Sequence, residues 1–459
     1  MMKPKILVTG ASGYVGGRLI PLLLERNYSV RAMVRDCRKL ERRGWEGLEI
    51  VEADALEPES LAAALAGVEV AYYLIHSMTT SGPEFRKKDI QCAENFAEAA
   101  NRASVKRIIY LGGLGNTDAG LSEHLKSRQE TGEILRSTGI PVTELRAAII
   151  VGSGSASFEI IKDLCKKLPV MITPRWVQSK CEPISIRQLL TYLVGVLEEP
   201  KSTGKTLDVG GGEVLTYAEM MQQCGEVMGK RILMIPVPVL TPRLSSYWLN
   251  LVTSVPLTLA RPLVEGLKND VVTQDSRIKQ WIPAPELSYR KAVERAFARE
   301  ASGDVITRWT DAATSKANER FNELGFHYID ARTVAVNAPP VAVFSAIERM
   351  GGAQGWYHAD WLWRLRAAMD WLVGGVGMRR GKPSEEEFRV GDPIDFFRVE
   401  DRVFPKLIAL RAEMKLPGIA RLTFNVAPLR GEEQSILQLR AKFWPRGVFG
   451  KLYWYAVLP

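Results

Sequence analysis

The chain has 459 residues, 46% hydrophobic and 25% charged, with no low-complexity or repeated tract, which excludes disordered and fibrous classes and predicts two or three domains. The formal net charge of +9 is modest for this length, with 22 basic against 17 acidic residues from position 305 onward, and no basic run interleaved with aromatics points to nucleic acid. Five cysteines (Cys37, Cys92, Cys165, Cys181, Cys224) fall at no metal-ligand or redox spacing, so a reduced chain without a metal site is expected. The first strand begins at Lys5, leaving no upstream room for an export signal, so a cytoplasmic protein is expected.

Residues 5–9 (KILVT) are β-formers, residues 10–16 are turn-like, and residues 15–26 carry apolar side chains at helical spacing. Strand, glycine turn and helix together are the context a dinucleotide fingerprint requires. Gly10, Gly13 and Gly16 permit the tight turn and the close approach of backbone to a pyrophosphate, whose charge meets the N–H groups and positive end of the helix. Ser12, Tyr14 and Val15 belong to the same turn and are candidate cofactor contacts. The second strand, residues 29–34, ends at Val34, where NAD-preferring folds usually present a carboxylate, and Arg35 follows. A guanidinium holds a ribose 2′-phosphate through paired charge-assisted hydrogen bonds, so NADP(H) is expected, with NADPH favoured over NADH. Asp36 remains available to the ribose.

Residues 49–51 read as a third strand, with Asp54 placed to accept from the adenine amino group and Ala55 beside it. A helix over 59–66 and a strand over 68–75 (VEVAYYLI) continue the alternation, followed by a helix over 87–102 with Ile90, Ala93, Ala97 and Ala100 inward, and a strand over 107–111. The expected fold is α/β, a doubly wound parallel Rossmann-like sheet. Leu74, Ile75 and His76 lie at the carboxyl end of the fourth strand, where such sheets place ligands, and the loop 76–78 follows. Tyr72, Tyr73 and Tyr110 sit in strand-like runs and read as buried packing.

TGASGYVG, the arginine after strand two and the EAD segment resemble the atypical and extended short-chain dehydrogenase/reductase superfamily over about residues 4–300. YYLIHSM (72–78), IIYLGGLG (108–115) and HLKSRQETGEIL (124–135) resemble its branch of NmrA-like proteins and the 39 kDa subunit of respiratory complex I. The resemblance implies a tyrosine and a lysine four residues apart on one helix face as the catalytic pair; this chain has His124 and Arg128 there, and glycine, within Gly112 and Gly113, in place of the carbonyl-polarising serine. Two readings of His124 stand: a proton donor assisted by Arg128, or a packing residue in a site that binds nucleotide without turnover. The strand over 142–151 places Arg146 where a substrate-side arginine is common, and the lobe over about 152–300, including 183–186 and 207–209, is expected to set the substrate. The apolar stretch 232–260 is broken by Pro236, Pro238, Pro242, Arg243 and Pro256, too soon for a membrane span, and reads as core packing or a lipid-facing surface.

The superfamily match ends near 301–304, giving domains of 1–303 and 304–459. Alternation over 408–414, 420–426 and 437–443 predicts half-buried antiparallel strands, preceded by a strand over 333–336 and a helix over 341–349. This order resembles an α+β helix-grip (Bet v 1/START-like) domain, and the region resembles the uncharacterised domain DUF2867. Trp356, Trp361, Trp363 and Trp371 are expected to line an apolar cavity, meet a membrane interface or pack a core. The resembling proteins continue into a further hydrophobic helix beyond Leu458 and Pro459, so this domain is expected to be shortened. The expected function is an NADP(H)-dependent oxidoreductase acting on a hydrophobic carbonyl, enone or quinone-like small molecule, against a nucleotide-binding sensor or assembly factor, or a lipid or quinone binder; peripheral membrane contact is a candidate partnership.

Overall fold

The computed structural model describes residues 3–41, 43–76, 83–115, 122–237, 253, 255, 263, 265–267, 269–302, 304–312, 327–358, 360–372, 375–378, 380–429 and 433–457. The chain divides into two compact units, Met1–Asn250 with Val255–Ala312, and Leu251–Ser254 with Ala313–Pro459.

In the first unit β1 (Lys5–Val8), α1 (Gly16–Glu25), β2 (Ser29–Val34), α2 (Arg38–Glu41), β3 (Leu48–Glu52), α3 (Pro58–Leu65), β4 (Val70–Tyr73), α4 (Pro83–Arg102), β5 (Arg107–Gly113), α5 (Glu123–Ser137) and β6 (Val142–Ala147) follow in order. Then come β7 (Ile150–Val151), α6 (Ala156–Lys167), β8 (Val170–Pro174), β9 (Lys180–Cys181), β10 (Ile184–Ser185), α7 (Ile186–Glu198), β11 (Thr206–Val209), β12 (Leu215–Thr216), α8 (Tyr217–Val227), β13 (Leu233–Val237), α9 (Arg277–Trp281) and α10 (Tyr289–Ala301). Seven strands make a wholly parallel sheet in the order β11-β6-β5-β4-β1-β2-β3. Helices cover both faces, which is why its strands are continuously apolar: Ile6 and Val8 join Leu19, Leu23 and Leu193 on one side, while Leu7 joins Tyr73 and Phe96 on the other. Tyr72, Tyr73 and Tyr110 are buried, and the Tyr72 and Tyr110 hydroxyls donate to Leu193 O and Arg128 O, both at 2.8 Å. The strand order reverses between β1 and β4, opening a crevice beyond their carboxyl ends.

Two sequence expectations change. Residues 142–151 are not one strand: β6 ends at Ala147, whose carbonyl accepts from Leu114 N–H, and β7 leaves the sheet to pair with β10. Residues 207–209 are not in a separate lobe but in β11, the sheet's edge, with Leu207 opposite Leu145 and Val209 opposite Ala147. Of the apolar stretch 232–260, β13 pairs in parallel with β8; the rest, apart from Ile232, Thr253 and Val255, lies outside the described residues, as do Leu458 and Pro459. Among the described residues no helix is long and apolar enough to cross a membrane.

The second unit contains β14 (Tyr328–Val336), α11 (Pro340–Glu348), α12 (Asp360–Leu372), β15 (Pro393–Ile394), β16 (Phe397–Val403), β17 (Leu407–Ala412), β18 (Gly418–Leu429), β19 (Gln434–Pro445) and α13 (Gly447–Val457). Its six strands form an antiparallel sheet, β14-β19-β18-β17-β16-β15, accompanied by helices. Val399, Ile408, Leu410, Phe424 and Val426 face a core shared with Phe344, Ile347 and Ala367. The four tryptophans divide: Trp356 stacks on Phe396 and packs against Trp363 in this core, whereas Trp361 and Trp371 are exposed. β16 escapes the sequence pattern because its polar residues are buried in ion pairs, Arg398 with Glu413 (2.7 Å) and Arg402 with Glu348 (2.6 Å), and a bulge between Val399 and Asp401 breaks the alternation.

Gly10 has φ +61°, and a Cβ there would lie 2.6 Å from the Leu74 carbonyl oxygen; Gly44 has the same φ with open space around it. Gly44→Ala is therefore expected to cost only the backbone strain, about 1 kcal/mol, and Gly10→Ala about 2 kcal/mol or more in urea denaturation. Equal losses would refute the close approach.

Candidate functional site

The crevice is laid out by Thr9. Its hydroxyl donates to Tyr72 O (3.0 Å) and accepts from Leu74 N–H (3.0 Å), lacing the ends of β1 and β4 together. The chain then turns through Gly10, Gly13 N–H donating to Gly10 O (2.9 Å), and enters α1 at Gly16. A Cβ at Gly16 would meet Gly10 O at 2.5 Å, so the turn closes only with glycine at both positions. Val15 provides no side-chain cap and the first turn holds no carboxylate, so the positive end of α1 meets the crevice without a side chain neutralising it. Tyr14 is directed elsewhere: its ring lies under the Arg18 guanidinium (4.8 Å), its carbonyl accepts from Thr307 Oγ1 (2.8 Å), and burial raises its hydroxyl pKa. Arg18 itself is engaged by Thr307 Oγ1 and Ser153 O, both at 2.8 Å.

At the end of β2, Arg35 is exposed and Asp36 is gripped by Arg38 through two bonds of 2.8 and 2.9 Å. Lys39 donates to Asp311 O (2.9 Å), and burial, together with the neighbouring Arg35 charge, lowers its pKa to about 8. Two cations crowded at this strand end suit an anion between them. Asp54 closes an Asx turn by accepting from Leu56 N–H (3.0 Å), and Ala55 O accepts from Asn95 of α4 (2.8 Å), which fixes the loop after β3. The glycine turn, the open end of α1 and the Arg35–Lys39 pair together fit a phosphorylated dinucleotide.

Across the crevice, beyond Leu74 and Ile75, the chain brings His76 to α4 and α5. His76 Nδ1 lies 2.9 Å from Asp89 Oδ2, the same oxygen accepts from Ser127 Oγ (3.2 Å), and the His76 and His124 ring centroids are 5.0 Å apart. The ring nitrogen facing a carboxylate carries the proton, so His76 Nε2 keeps a lone pair. That Nε2 and His124 Nδ1 are buried without hydrogen-bond partners among the described residues. Burial lowers both pKa values; the Arg128 charge adds to this for His76, and His76 followed by Arg128 adds to it for His124, which falls well below the usual range. Asp89 opposes the shift in both. Both imidazoles are neutral at physiological pH.

Arg128 stands over the Tyr110 ring (5.8 Å) rather than beside a catalytic tyrosine. A serine at Gly112 would be obstructed, since its Cβ would lie 2.6 Å from Glu144 Oε1, a carboxylate held by Arg136 at 2.6 Å. Arg146 is committed to Asp208 (2.7 Å). Of the loop 76–78 only His76 lies within the described residues. Asp89, Ser127 and Lys39 were not singled out from sequence; Asp89 and Ser127 sit on different helices and acquire meaning only where α4 and α5 meet His76.

A parallel sheet with reversed order at β1/β4, a glycine turn at that reversal and a polar crevice define an NAD(P)-binding Rossmann-like fold of the reductase and epimerase type. Residues 2–245 match the model of the NmrA-like family, and the chain belongs to that family. Residues 324–459 match DUF2867, a protein family of unknown function. Cinnamoyl-CoA reductase 2 of Arabidopsis thaliana is 32% identical over 117 residues, 24% of this chain and 35% of that protein. The photosystem II assembly factor Ycf39 of Cyanophora paradoxa is 27% identical over 138 residues, 30% of this chain and 43% of that protein. The chain thus spans well under half the length of these relatives. Among solved structures, the Citrobacter triphenylmethane reductase complexed with NADP(H) is 24% identical with a TM-score of 0.53, covering 64% of this chain and 99% of that one. The NADPH-dependent quinone oxidoreductase of Escherichia coli complexed with NADPH is 21% identical with a TM-score of 0.52, at the same coverage. These structures establish the fold.

Histidines buried neutral tie stability to pH. Unfolded histidines protonate near pH 6.5 while these resist it, so the unfolded chain binds more protons and stability falls as pH drops below about 6.5. Between about pH 7.5 and about pH 5.5 the urea midpoint of the wild type is expected to fall, and that of His124→Phe to fall less. Parallel profiles would show that His124 is not held neutral.

Proposed function

We propose that the chain is an NADP(H)-dependent reductase that transfers hydride to a hydrophobic carbonyl, enone or quinone-like substrate. The observation that carries this reading is the pair of imidazoles beyond the carboxyl end of β4, with ring centroids 5.0 Å apart and, among the described residues, a buried nitrogen without a hydrogen-bond partner on each ring. NADPH, when bound, supplies the hydride. Gly10, Gly13 and Gly16 with the start of α1 hold the pyrophosphate, Arg35 and Lys39 the 2′-phosphate, and Asp54 the adenine amino group. His124, in the tautomer with the proton on Nδ1, donates to the substrate oxygen, while His76 is held by Asp89 with its Nε2 lone pair as an acceptor beside it; the proton that the reduced oxygen gains leaves His124 Nδ1 as the other ring nitrogen takes one from solvent. Burial, with the Arg128 charge added to it, disfavours storing that proton on either ring as a cation.

Support for NADPH over NADH comes from Arg35 and Lys39. Arg35→Ala is expected to raise the NADPH Kd about tenfold or more while leaving NADH within about threefold; equal weakening of both would remove the phosphate assignment. Since Lys39 is cationic below about pH 8, the NADPH preference is expected to shrink as pH rises through that value, and to become pH-independent in Lys39→Gln.

A second reading, a nucleotide-binding factor without turnover, is favoured by the displaced Arg128 and the likeness to the assembly factor Ycf39. NADPH oxidation with a panel of quinones, enones and ketones separates the two. Turnover that falls about a hundredfold in His76→Phe and His124→Phe supports the reductase; tight NADPH binding with no turnover on any substrate supports the factor.

A further inference from the structure

The helices α12 and α13 of the second unit carry apolar surface on their outer sides. α12 packs inward through Trp363, Ala367 and Asp370, and exposes Trp361, Leu365, Met369 and Leu372, a stripe at helical spacing. α13 is anchored by Trp454, which stacks on Phe443 (5.8 Å) and Tyr328 (5.4 Å), and it exposes Val448, Phe449, Leu452 and Tyr455, with Phe449 81% exposed. Arg366 Nη2 donates to Tyr453 Oη (3.0 Å), which bridges the two helices. Water-facing surfaces rarely gather so much apolar area without an occupant.

The charges on this face select the occupant. Lys451 is the sole charged residue of α13 and is exposed among its apolar side chains, and Arg446, which precedes the helix, is exposed. The carboxylates of α12 are committed. Asp360 pairs with Arg364 (2.6 Å) and accepts from Trp356 N–H (3.0 Å), while Asp370 is buried and accepts from Gly377 N–H (2.8 Å) and Lys415 N–H (2.7 Å). A seam between proteins excludes lysine from its apolar centre. A bilayer interface accepts it, because the stem lies along the acyl chains while the ammonium reaches the phosphates, and tryptophan and tyrosine settle at the same depth. Cations among the apolar residues complement anionic lipid.

We propose that α12 and α13 form an in-plane anchor that lays the second unit on an anionic membrane surface. Flotation of the full chain with phosphatidylcholine vesicles, with and without phosphatidylglycerol, tests this. Expected are salt-sensitive binding to the mixed vesicles and a loss of about tenfold or more in Phe449→Glu/Leu452→Glu, two exposed sites whose change leaves the far-UV spectrum intact. Lys451→Gln, which keeps the apolar face, is expected to lower partitioning into the anionic vesicles about fivefold. The proposal is overturned by absence of binding to either vesicle, by equal binding to both, or by binding that survives both sets of substitutions. It is also overturned by a concentration-dependent dimer in sedimentation that Phe449→Glu/Leu452→Glu abolishes without vesicle binding in the wild type, which would make the face a seam between copies.

Discussion

The site depends on the lacing of β1 to β4 by the Thr9 hydroxyl. One oxygen uses both its donor and its acceptor capacity across the point where the sheet reverses its order, setting Gly10 against the Leu74 carbonyl. From that contact the chain runs in two directions. Forward from Gly10 it makes the turn and opens α1 toward an anion; forward from Leu74, two residues later, it delivers His76 to Asp89. The nucleotide turn and His76 are thus positioned by one short bridge, and a side chain at Gly10 would push the two apart.

Much of this was legible in the sequence because it is local. The glycine turn, the β2 terminus with Arg35 and the alternation of strands and helices are set by neighbours along the chain, where periodicity and turn chemistry report directly. Arg128 one helical turn from His124 was legible too, and in the fold its charge adds to burial and to His76 in disfavouring the imidazolium. What escaped is what folding alone brings together. Asp89 looks like any polar residue of an amphipathic helix until α4 crosses His76, and Lys39 like a solvated lysine until Asp311 approaches from far along the chain. The break after Ala147 was hidden because both halves of 142–151 are β-forming, and only the sharing of backbone partners between two sheets separates them. β16 was hidden for the opposite reason: FRVEDRV reads as solvated, and its charges are interior.

In the proposed reductase, the two imidazoles stand in for the tyrosine and lysine pair that this site lacks. A tyrosine in that role needs a nearby lysine cation to become acidic enough. A neutral imidazole has one N–H and one lone pair, so with the His76 N–H spent on Asp89 it is His124 that has a proton to offer an unprotonated oxygen. The Arg128 charge then acts by preventing a resting cation, rather than by acidifying a phenol. Asp89 supplies the counterweight, holding His76 in one tautomer, which is the usual task of a carboxylate behind a working histidine.

The second unit inverts the usual distribution of polarity. Ion pairs such as Arg398 with Glu413 and Arg402 with Glu348 lie inside, where removing charges from water costs several kcal/mol per ion before the pair's attraction offsets it. Meanwhile Trp361, Met369, Leu372, Phe449 and Leu452, which would stabilise a core by about 1.5–3 kcal/mol each if buried, remain in water. A fold selected for stability alone would exchange these positions. The inversion is consistent with a surface whose apolar side chains are needed where they are, and with interior charges that tie β16 to its neighbours, Arg398 to the end of β17 and Arg402 to α11.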